Sequence, residues 1–235
     1  MKFNLRARLT AEFLGSAFLV AAVIGSGIMG ERLAGGNVAI ALLANTIATG
    51  AALLALILTF GPVSGAHLNP AVTLADAMEH GIAWSEAAAY MCVQCAGGVA
   101  GAIVAHLMFG LRWYSWSTHS RHGWALVFSE FVATFGLLSV IWGCSRLRSA
   151  AVPFAVASYI TAAYWFTAST SFANPAVTIA RSLSDSFAGI RRADVPLFIG
   201  AQIAGAVCAT AVFRWIVPKL EPQTPNPVHA GVGNR

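Results

Sequence analysis

Long runs of apolar residues, separated by short polar connections, dominate the sequence. A helix needs about 20 consecutive apolar residues to cross the hydrocarbon core of a bilayer, and six runs are of about that length. The pattern therefore predicts six transmembrane helices. They are Leu9–Met29, Val38–Phe60, Ala87–Phe109, Trp124–Trp142, Val152–Phe172 and Val195–Val217.

Two of the connections contain an additional apolar segment that is too short to span. Asn69 and Asn174 each precede a proline; asparagine caps a helix with its side-chain oxygen, and proline suits the first helical position. The sequence therefore predicts short helices over Pro70–Met78 and Pro175–Phe187. At about 1.5 Å per residue neither can cross a bilayer, so both are predicted to be re-entrant half-helices. The extended segments predicted before them are Gly61–Leu68 and Thr167–Ala173.

Three short sequence matches, in the same order, relate the first half of the chain to the second half. Each half contains three predicted spans, an odd number, so the second copy must cross the membrane in the opposite direction. The sequence thus predicts an all-α membrane protein with six transmembrane helices plus two re-entrant half-helices in an inverted 3+3 repeat. The matches are Ala11–Leu14 with Ser129–Val132, Asn69–Thr73 with Asn174–Thr178, and Gln94–Gly97 with Gln202–Gly205.

The repeated Asn-Pro-Ala triplet gives the half-helices a chemical role. Inverted symmetry brings their N-termini together near the middle of the membrane, where each contributes roughly half a positive charge. Cations and protons are therefore repelled, while the asparagine amides can donate hydrogen bonds to the oxygen of a neutral solute. The residues of the two motifs are Asn69, Pro70, Ala71, Asn174, Pro175 and Ala176.

The composition agrees with a membrane protein, because 57% of the residues are hydrophobic and only 10% are charged, against about 25% charged in a typical soluble domain. The formal net charge of +5 is spread along the chain, which indicates flanking charge and no nucleic-acid partner. We predict one channel domain over residues 1–220, with repeats over about 9–109 and 124–217, and a disordered tail over 221–235. No catalytic centre, cofactor or metal site is predicted.

The charge distribution also gives an orientation. Six crossings place both termini on one side of the membrane, and eight Lys and Arg residues lie near the termini or in the loop at 143–151, against six elsewhere. This bias favours cytoplasmic termini. We therefore predict a multi-pass protein of the bacterial inner membrane.

The segment Ser64–Thr73 reads Ser-Gly-Ala-His-Leu-Asn-Pro-Ala-Val-Thr and resembles the first pore loop of aquaporins and aquaglyceroporins almost residue for residue. The resemblance covers about Thr10–Val217, and it is strongest to the bacterial aquaglyceroporins associated with arsenite movement. It implies a right-handed bundle of six helices and two half-helices, usually assembled as a homotetramer with one pore per subunit. The expected partners are small neutral solutes, the lipid bilayer and further copies of the chain.

Aquaporins carry a narrow filter outside the paired asparagines, and the resemblance places its four positions at Thr49, Ala162, Ser171 and Val177. The usual aromatic residue of the second span and the usual arginine after the second motif are both absent. Valine offers an uncharged, dehydrating wall, so we expect a wide filter that passes glycerol, urea and neutral metalloid hydroxides such as As(OH)3. Arg181 is interpreted either as a replacement for the missing charge or, preferably, as an anchor at the outer interface.

Polar side chains inside the spans occur at equivalent places in the two halves. A carboxylate at membrane depth is expected to be functional or paired, and we interpret Glu12 and Glu130 as acceptors that hold the pore loops, the first of which includes His67. Gln94 and Gln202 are interpreted as further braces. The alternative is a proton relay, which would make the chain a secondary transporter with alternating access. Unbroken spans with two extra half-helices favour the channel.

Overall fold

The computed structural model describes residues 3–218, and in this range helices are joined by turns and loops without any strand. Six helices are long and apolar enough to cross a membrane, which confirms the predicted number. The spanning helices are α1 (Leu5–Leu33), α2 (Val38–Ser64), α4 (Trp84–Met108), α5 (Trp124–Leu147), α6 (Val152–Phe166) and α8 (Val195–Ile216). A 3₁₀ turn over Ser149–Ala151 extends α6 to the length of a span. The half-helices are α3 (Pro70–Met78) and α7 (Pro175–Arg181). The tail predicted over 221–235 lies outside the described residues.

The two halves of the chain repeat one arrangement of helices. In the first half α1 packs along α2 and α4, and in the second half α5 packs along α6 and α8. Each half-helix also crosses to the other half, because α3 contacts α8 and α7 contacts α4. This exchange confirms the inverted repeat of three spans plus one half-helix.

The two ends of the bundle differ. We call the end at which the described chain starts and finishes the terminal end, and the opposite end the loop end. At the loop end the connections over 109–123 and 182–194 meet, and the backbone N–H of Ser115 donates to the carbonyl of Leu183 at 2.9 Å. This hydrogen bond holds the connection 109–123 over the C-terminal end of α7.

The second spanning helix continues further than the sequence predicted. Gly61–Leu68 was expected to be extended, but α2 runs through Pro62 to Ser64. Pro62 lies in the last turn, and the helix ends where Gly65 adopts a φ of 92°. Glycine reaches this left-handed conformation without steric cost, which makes it the usual helix terminator.

Two helices of the second half are shorter than predicted. α6 ends at Phe166, before the segment Thr167–Ala173 that was predicted to be extended, although the apolar run continues to Phe172. α7 ends at Arg181 and not at Phe187. α6 ends because Thr167 adopts an extended conformation, with a φ of −106° and a ψ of 136°, which lies outside the helical region. The hydrophobic pattern missed these ends because it reports burial and is insensitive to backbone conformation.

Glycines allow α1 and α4 to approach closely. A Cβ atom at Gly97 would overlap the carbonyl oxygen of Phe13, and one at Gly101 would overlap the carbonyl oxygen of Ala17. Small residues at such contacts are the usual means of helix association in membranes, because lipid supplies no hydrophobic force between spans. The α1–α4 pair is thus held by direct backbone contact.

We expect Gly101→Ala to lower the midpoint of thermal unfolding of the detergent-purified protein. The added carbon must displace α1 from α4, and overpacking of this kind costs about 1–3 kcal/mol. Gly200→Ala is the matched control, because no atom lies within 4 Å of a Cβ placed at that position. Equal midpoints for the two variants, measured by scanning fluorimetry, would contradict the close contact.

Candidate functional site

The two Asn-Pro-Ala motifs meet inside the bundle, where α3 contacts α7. Asn69 Oδ1 accepts a hydrogen bond from the backbone N–H of Ala71, and Asn174 Oδ1 accepts one from Ala176, both at 2.9 Å. Each asparagine therefore caps its own half-helix, with a proline in the first turn behind it. The positive ends of the two half-helices lie side by side.

The asparagine amides also join the two halves. Asn69 Nδ2 donates to the carbonyl of Ala173, and Asn174 Nδ2 donates to the carbonyl of Leu68, both at 2.8 Å. An amide nitrogen carries two hydrogens, so each side chain keeps a second donor. Both asparagines line the cavity described next, and this second donor is the one that a solute there can use.

A cavity of about 250 Å³ passes both asparagines, which is well above the volume that one water molecule needs. Its walls are mainly apolar side chains of α2, α5 and α6. Asp76 and Ser145 lie at its terminal end, and Thr49 and Ser171 lie toward its loop end. The lining thus offers a small number of polar groups in a largely apolar surface, as in other small-molecule sites.

Three of the four predicted filter residues, Thr49, Ser171 and Val177, line the cavity. The fourth prediction was wrong, because Ala162 is exposed on the outer face of α6. The cavity-lining residues of α6 recur at every fourth position, and on a helix with 3.6 residues per turn a residue midway between two of them points away. The lining residues of α6 are Val152, Val156, Ile160 and Tyr164.

Tyr164 supplies the aromatic side chain that the sequence analysis did not find. It is buried, lines the cavity and places its hydroxyl 3.3 Å from Thr49 Oγ1. Ser171 Oγ is buried as well and has no hydrogen-bond partner among the described residues. Three hydroxyl groups and the apolar Val177 therefore form this part of the wall. The four-residue spacing along α6 includes Tyr164 once the structure shows which face of the helix lines the cavity.

Glu12 is fully buried beside the first pore loop. Its carboxylate accepts hydrogen bonds from Ser64 Oγ at 2.6 Å, from the backbone N–H groups of His67 and Leu68 at 3.0 and 2.7 Å, and from Gln94 Nε2 at 2.8 Å. Leu68 has a φ of 48°. The carboxylate thus satisfies a loop whose backbone cannot form helical hydrogen bonds.

Glu130 makes the corresponding backbone and glutamine contacts in the second half. It accepts from the backbone N–H groups of Phe172 and Ala173, both at 2.9 Å, and from Gln202 Nε2 at 2.6 Å. Neither Glu130 nor its counterpart Glu12 lines the cavity. This position disfavours a proton relay through the solute path.

Two threonines that the sequence analysis left without a role complete the networks. Thr178 Oγ1 donates to the carbonyl of Asn174 at 2.8 Å and accepts from Gln202 Nε2 at 2.9 Å. Thr73 makes the corresponding contacts in the first half. Their place at the end of the repeated pentapeptide was the signal that could have identified them.

Arg181 is fully buried, so the expected anchor at the interface was wrong. Its Nε donates to the carbonyl of Ala188, and Nη1 has no hydrogen-bond partner among the described residues. The guanidinium carbon lies 3.4 Å from the centre of the Phe172 ring. A buried arginine needs an explanation, because taking an ion out of water costs several kcal/mol unless its charge is compensated.

Comparison with known proteins gives matches over nearly the whole chain. The family model Major intrinsic protein matches residues 1–148 and 143–234. Aquaglyceroporin AqpS of Rhizobium meliloti (strain 1021) is 51% identical over 221 residues, which cover 94% of each chain. Probable aquaporin NIP7-1 of Arabidopsis thaliana is 26% identical over 231 residues, which cover 95% of this chain and 81% of the relative.

A solved structure has the same fold. The aquaglyceroporin from Plasmodium falciparum matches with a TM-score of 0.70 over 91% of this chain and 97% of its own. The two sequences are 16% identical, so this likeness concerns the arrangement of helices alone.

Replacing Glu130 by Gln is expected to lower both stability and solute flux. The amide keeps the shape but exchanges one acceptor for a donor, so one of the loop N–H groups loses its partner at a cost of about 1–3 kcal/mol. Thermal unfolding and proteoliposome swelling measure the two effects. Glu86→Gln is the control, because that partly exposed carboxylate pairs with Arg8 at 3.0 Å and an exposed pair contributes little. Wild-type behaviour of Glu130→Gln would argue against bracing.

Proposed function

We propose that this chain, which belongs to the major intrinsic protein family, conducts small uncharged solutes through the cavity between its two half-helices. The family consists of membrane channels and not of enzymes, and the chain is a multi-pass channel of the aquaglyceroporin kind, for water and glycerol. The observation that carries the proposal is the pairing of Asn69 and Asn174 at the wall of one cavity.

The centre of the cavity selects against cations. The N-termini of α3 and α7 each add roughly half a positive charge beside the path, and the apolar walls give a low dielectric that strengthens this field. A neutral solute that loses water regains hydrogen bonds from the two asparagine amides. A cation loses its hydration there, and the two asparagine amides offer it donors in place of the acceptors that it needs.

The loop end of the cavity supports solutes larger than water. Val177 leaves the position of the usual filter arginine uncharged and short, and the hydroxyl groups of Thr49, Tyr164 and Ser171 provide both donors and acceptors. A solute with several hydroxyl groups matches such a wall. Glycerol, urea-like molecules and neutral metalloid hydroxides such as As(OH)3 are therefore the proposed substrates.

The proposal extends to the placement of the protein. We place it in the bacterial inner membrane with cytoplasmic termini, supported by the excess of Lys and Arg near the termini and the 143–151 loop. Assembly as a homotetramer with one pore per subunit is supported by family membership.

Val177→Arg is expected to reduce the flux of glycerol and As(OH)3 by roughly tenfold or more, since each 1.4 kcal/mol added to a barrier is a factor of ten. The long side chain would occupy the path, while water remains small enough to pass. Stopped-flow light scattering of proteoliposomes measures both fluxes. Val177→Ala keeps the position small and uncharged and should conduct glycerol much faster than Val177→Arg. Equal glycerol flux in these two variants would remove Val177 from the filter.

A channel and a secondary transporter differ in their kinetics. We expect glycerol flux to rise in proportion to the gradient up to high concentration and to be independent of a proton gradient. The measurement uses the same vesicles with and without an imposed pH difference. Saturation at modest glycerol concentration, or flux driven by protons, would favour alternating access instead.

A further inference from the structure

We propose that Arg121 and Arg181 together form a cation barrier beside the loop end of the pore, in place of the filter arginine that this chain lacks. The inference rests on the proposed function, because it concerns ion exclusion by the same pore. The two positively charged side chains lie behind the wall of the cavity and do not narrow the solute path.

Both guanidinium groups contact one aromatic ring of the cavity wall. Their central carbons lie 4.9 Å (Arg121) and 3.4 Å (Arg181) from the centre of the Phe172 ring, and Phe172 lines the cavity next to Ser171. Neither arginine lines the cavity. The ring therefore separates the two charges from the solute path, and an apolar separator of this kind screens a field only weakly.

The charges are held by neutral groups. Arg121 donates from Nε to the carbonyl of Gly189 at 2.7 Å, from Nη1 to that of Ser169 at 3.1 Å and from Nη2 to that of Phe187 at 3.4 Å. Arg181 donates to a backbone carbonyl as well. Burial lowers the pKa of Arg121 to about 10, which still leaves its guanidinium protonated at neutral pH.

Nearby carboxylates do not cancel both positive charges. Glu130 acts electrostatically on both arginines, so one negative charge stands against two positive charges. Asp194 accepts a hydrogen bond from the backbone N–H of Arg121 but pairs with the side chain of Arg191 at 2.9 Å. A net positive charge therefore remains beside the Phe172 ring.

The inverted repeat carries the opposite charge at the terminal end. Arg181 and Asp76 each lie seven residues after the asparagine of their motif, and Phe172 and His67 each lie two residues before it. His67 Nε2 is 3.7 Å from Asp76 Oδ2, and both residues line the cavity. Each half therefore has an aromatic ring beside a charged residue, but the charge is positive in Arg181 and negative in Asp76. The cation barrier is confined to the loop end.

The arrangement separates two tasks that a filter arginine combines. A guanidinium inside the path narrows it and also repels cations. Here hydroxyl groups and Val177 line the solute path. The repulsion of cations comes from Arg121 and Arg181 behind the Phe172 ring. Arg181 Nη1 has no hydrogen-bond partner within residues 3–218. This agrees with a charge kept for its field, because a purely structural arginine would be expected to use its donors.

The test compares potassium leak and glycerol swelling in the same proteoliposomes. Arg121→Met and Arg181→Met remove the charge, Arg121→Lys and Arg181→Lys retain it, and Asp76→Asn removes the opposite charge at the equivalent position. We expect each Met variant to raise potassium leak by about tenfold and each Lys variant to stay near wild type. Glycerol flux should remain measurable in all of them, and Asp76→Asn should not raise the leak.

Potassium leak at the wild-type level in the Met variants that still conduct glycerol would overturn the barrier. Equal leak in Met and Lys variants would also overturn it, because it would indicate disturbed packing and not lost charge. If Arg181→Met does not insert as folded protein, comparison of the potassium leak of Arg121→Met with that of Arg121→Lys tests the barrier by the same criteria. Absence of glycerol flux in the wild type would instead refute the proposed function.

Discussion

Every backbone polar group inside a bilayer must find its partner within the protein, and this constraint shapes the whole pore. The loops that precede the half-helices are not helical. Their backbone N–H groups lie within the membrane and have no carbonyl of a preceding helical turn to bind. An unpaired buried group of this kind costs several kcal/mol. Glu12 and Glu130 supply the missing acceptors, so their buried charges are compensated by hydrogen bonds and serve the fold.

The position of the permeation path follows from these carboxylates. Because Leu68 and Ala173 are fixed by Glu12 and Glu130, their carbonyls point at the opposite motif and accept from the asparagine amides. The caps then hold the N-termini of α3 and α7 together. Close packing of α1 on α4 brings Glu12 within reach of Gln94. Helix packing, loop shape and the central donors of the pore are thus one connected structure.

The symmetry of this structure concerns shape more than charge. The Glu, Gln and Thr contacts repeat almost atom for atom in both halves. At the equivalent positions next to the pore, however, one half has Asp76 and the other Arg181. Backbone support tolerates little change, whereas the charge at each mouth is free to differ. A duplicated scaffold can therefore give a pore with distinct ends.

The sequence by itself determined the six spans, the two half-helices, the inverted repeat and the paired motif residues. These follow from run length, cap chemistry and repetition, which are local properties of the chain. Tertiary structure alone decided that α6 presents Tyr164 to the cavity and turns Ala162 away. It also decided that Arg121, from the connection between α4 and α5, reaches Phe172 beside Arg181. Which face of a helix points inward, and what a loop covers, depend on contacts between residues far apart in sequence.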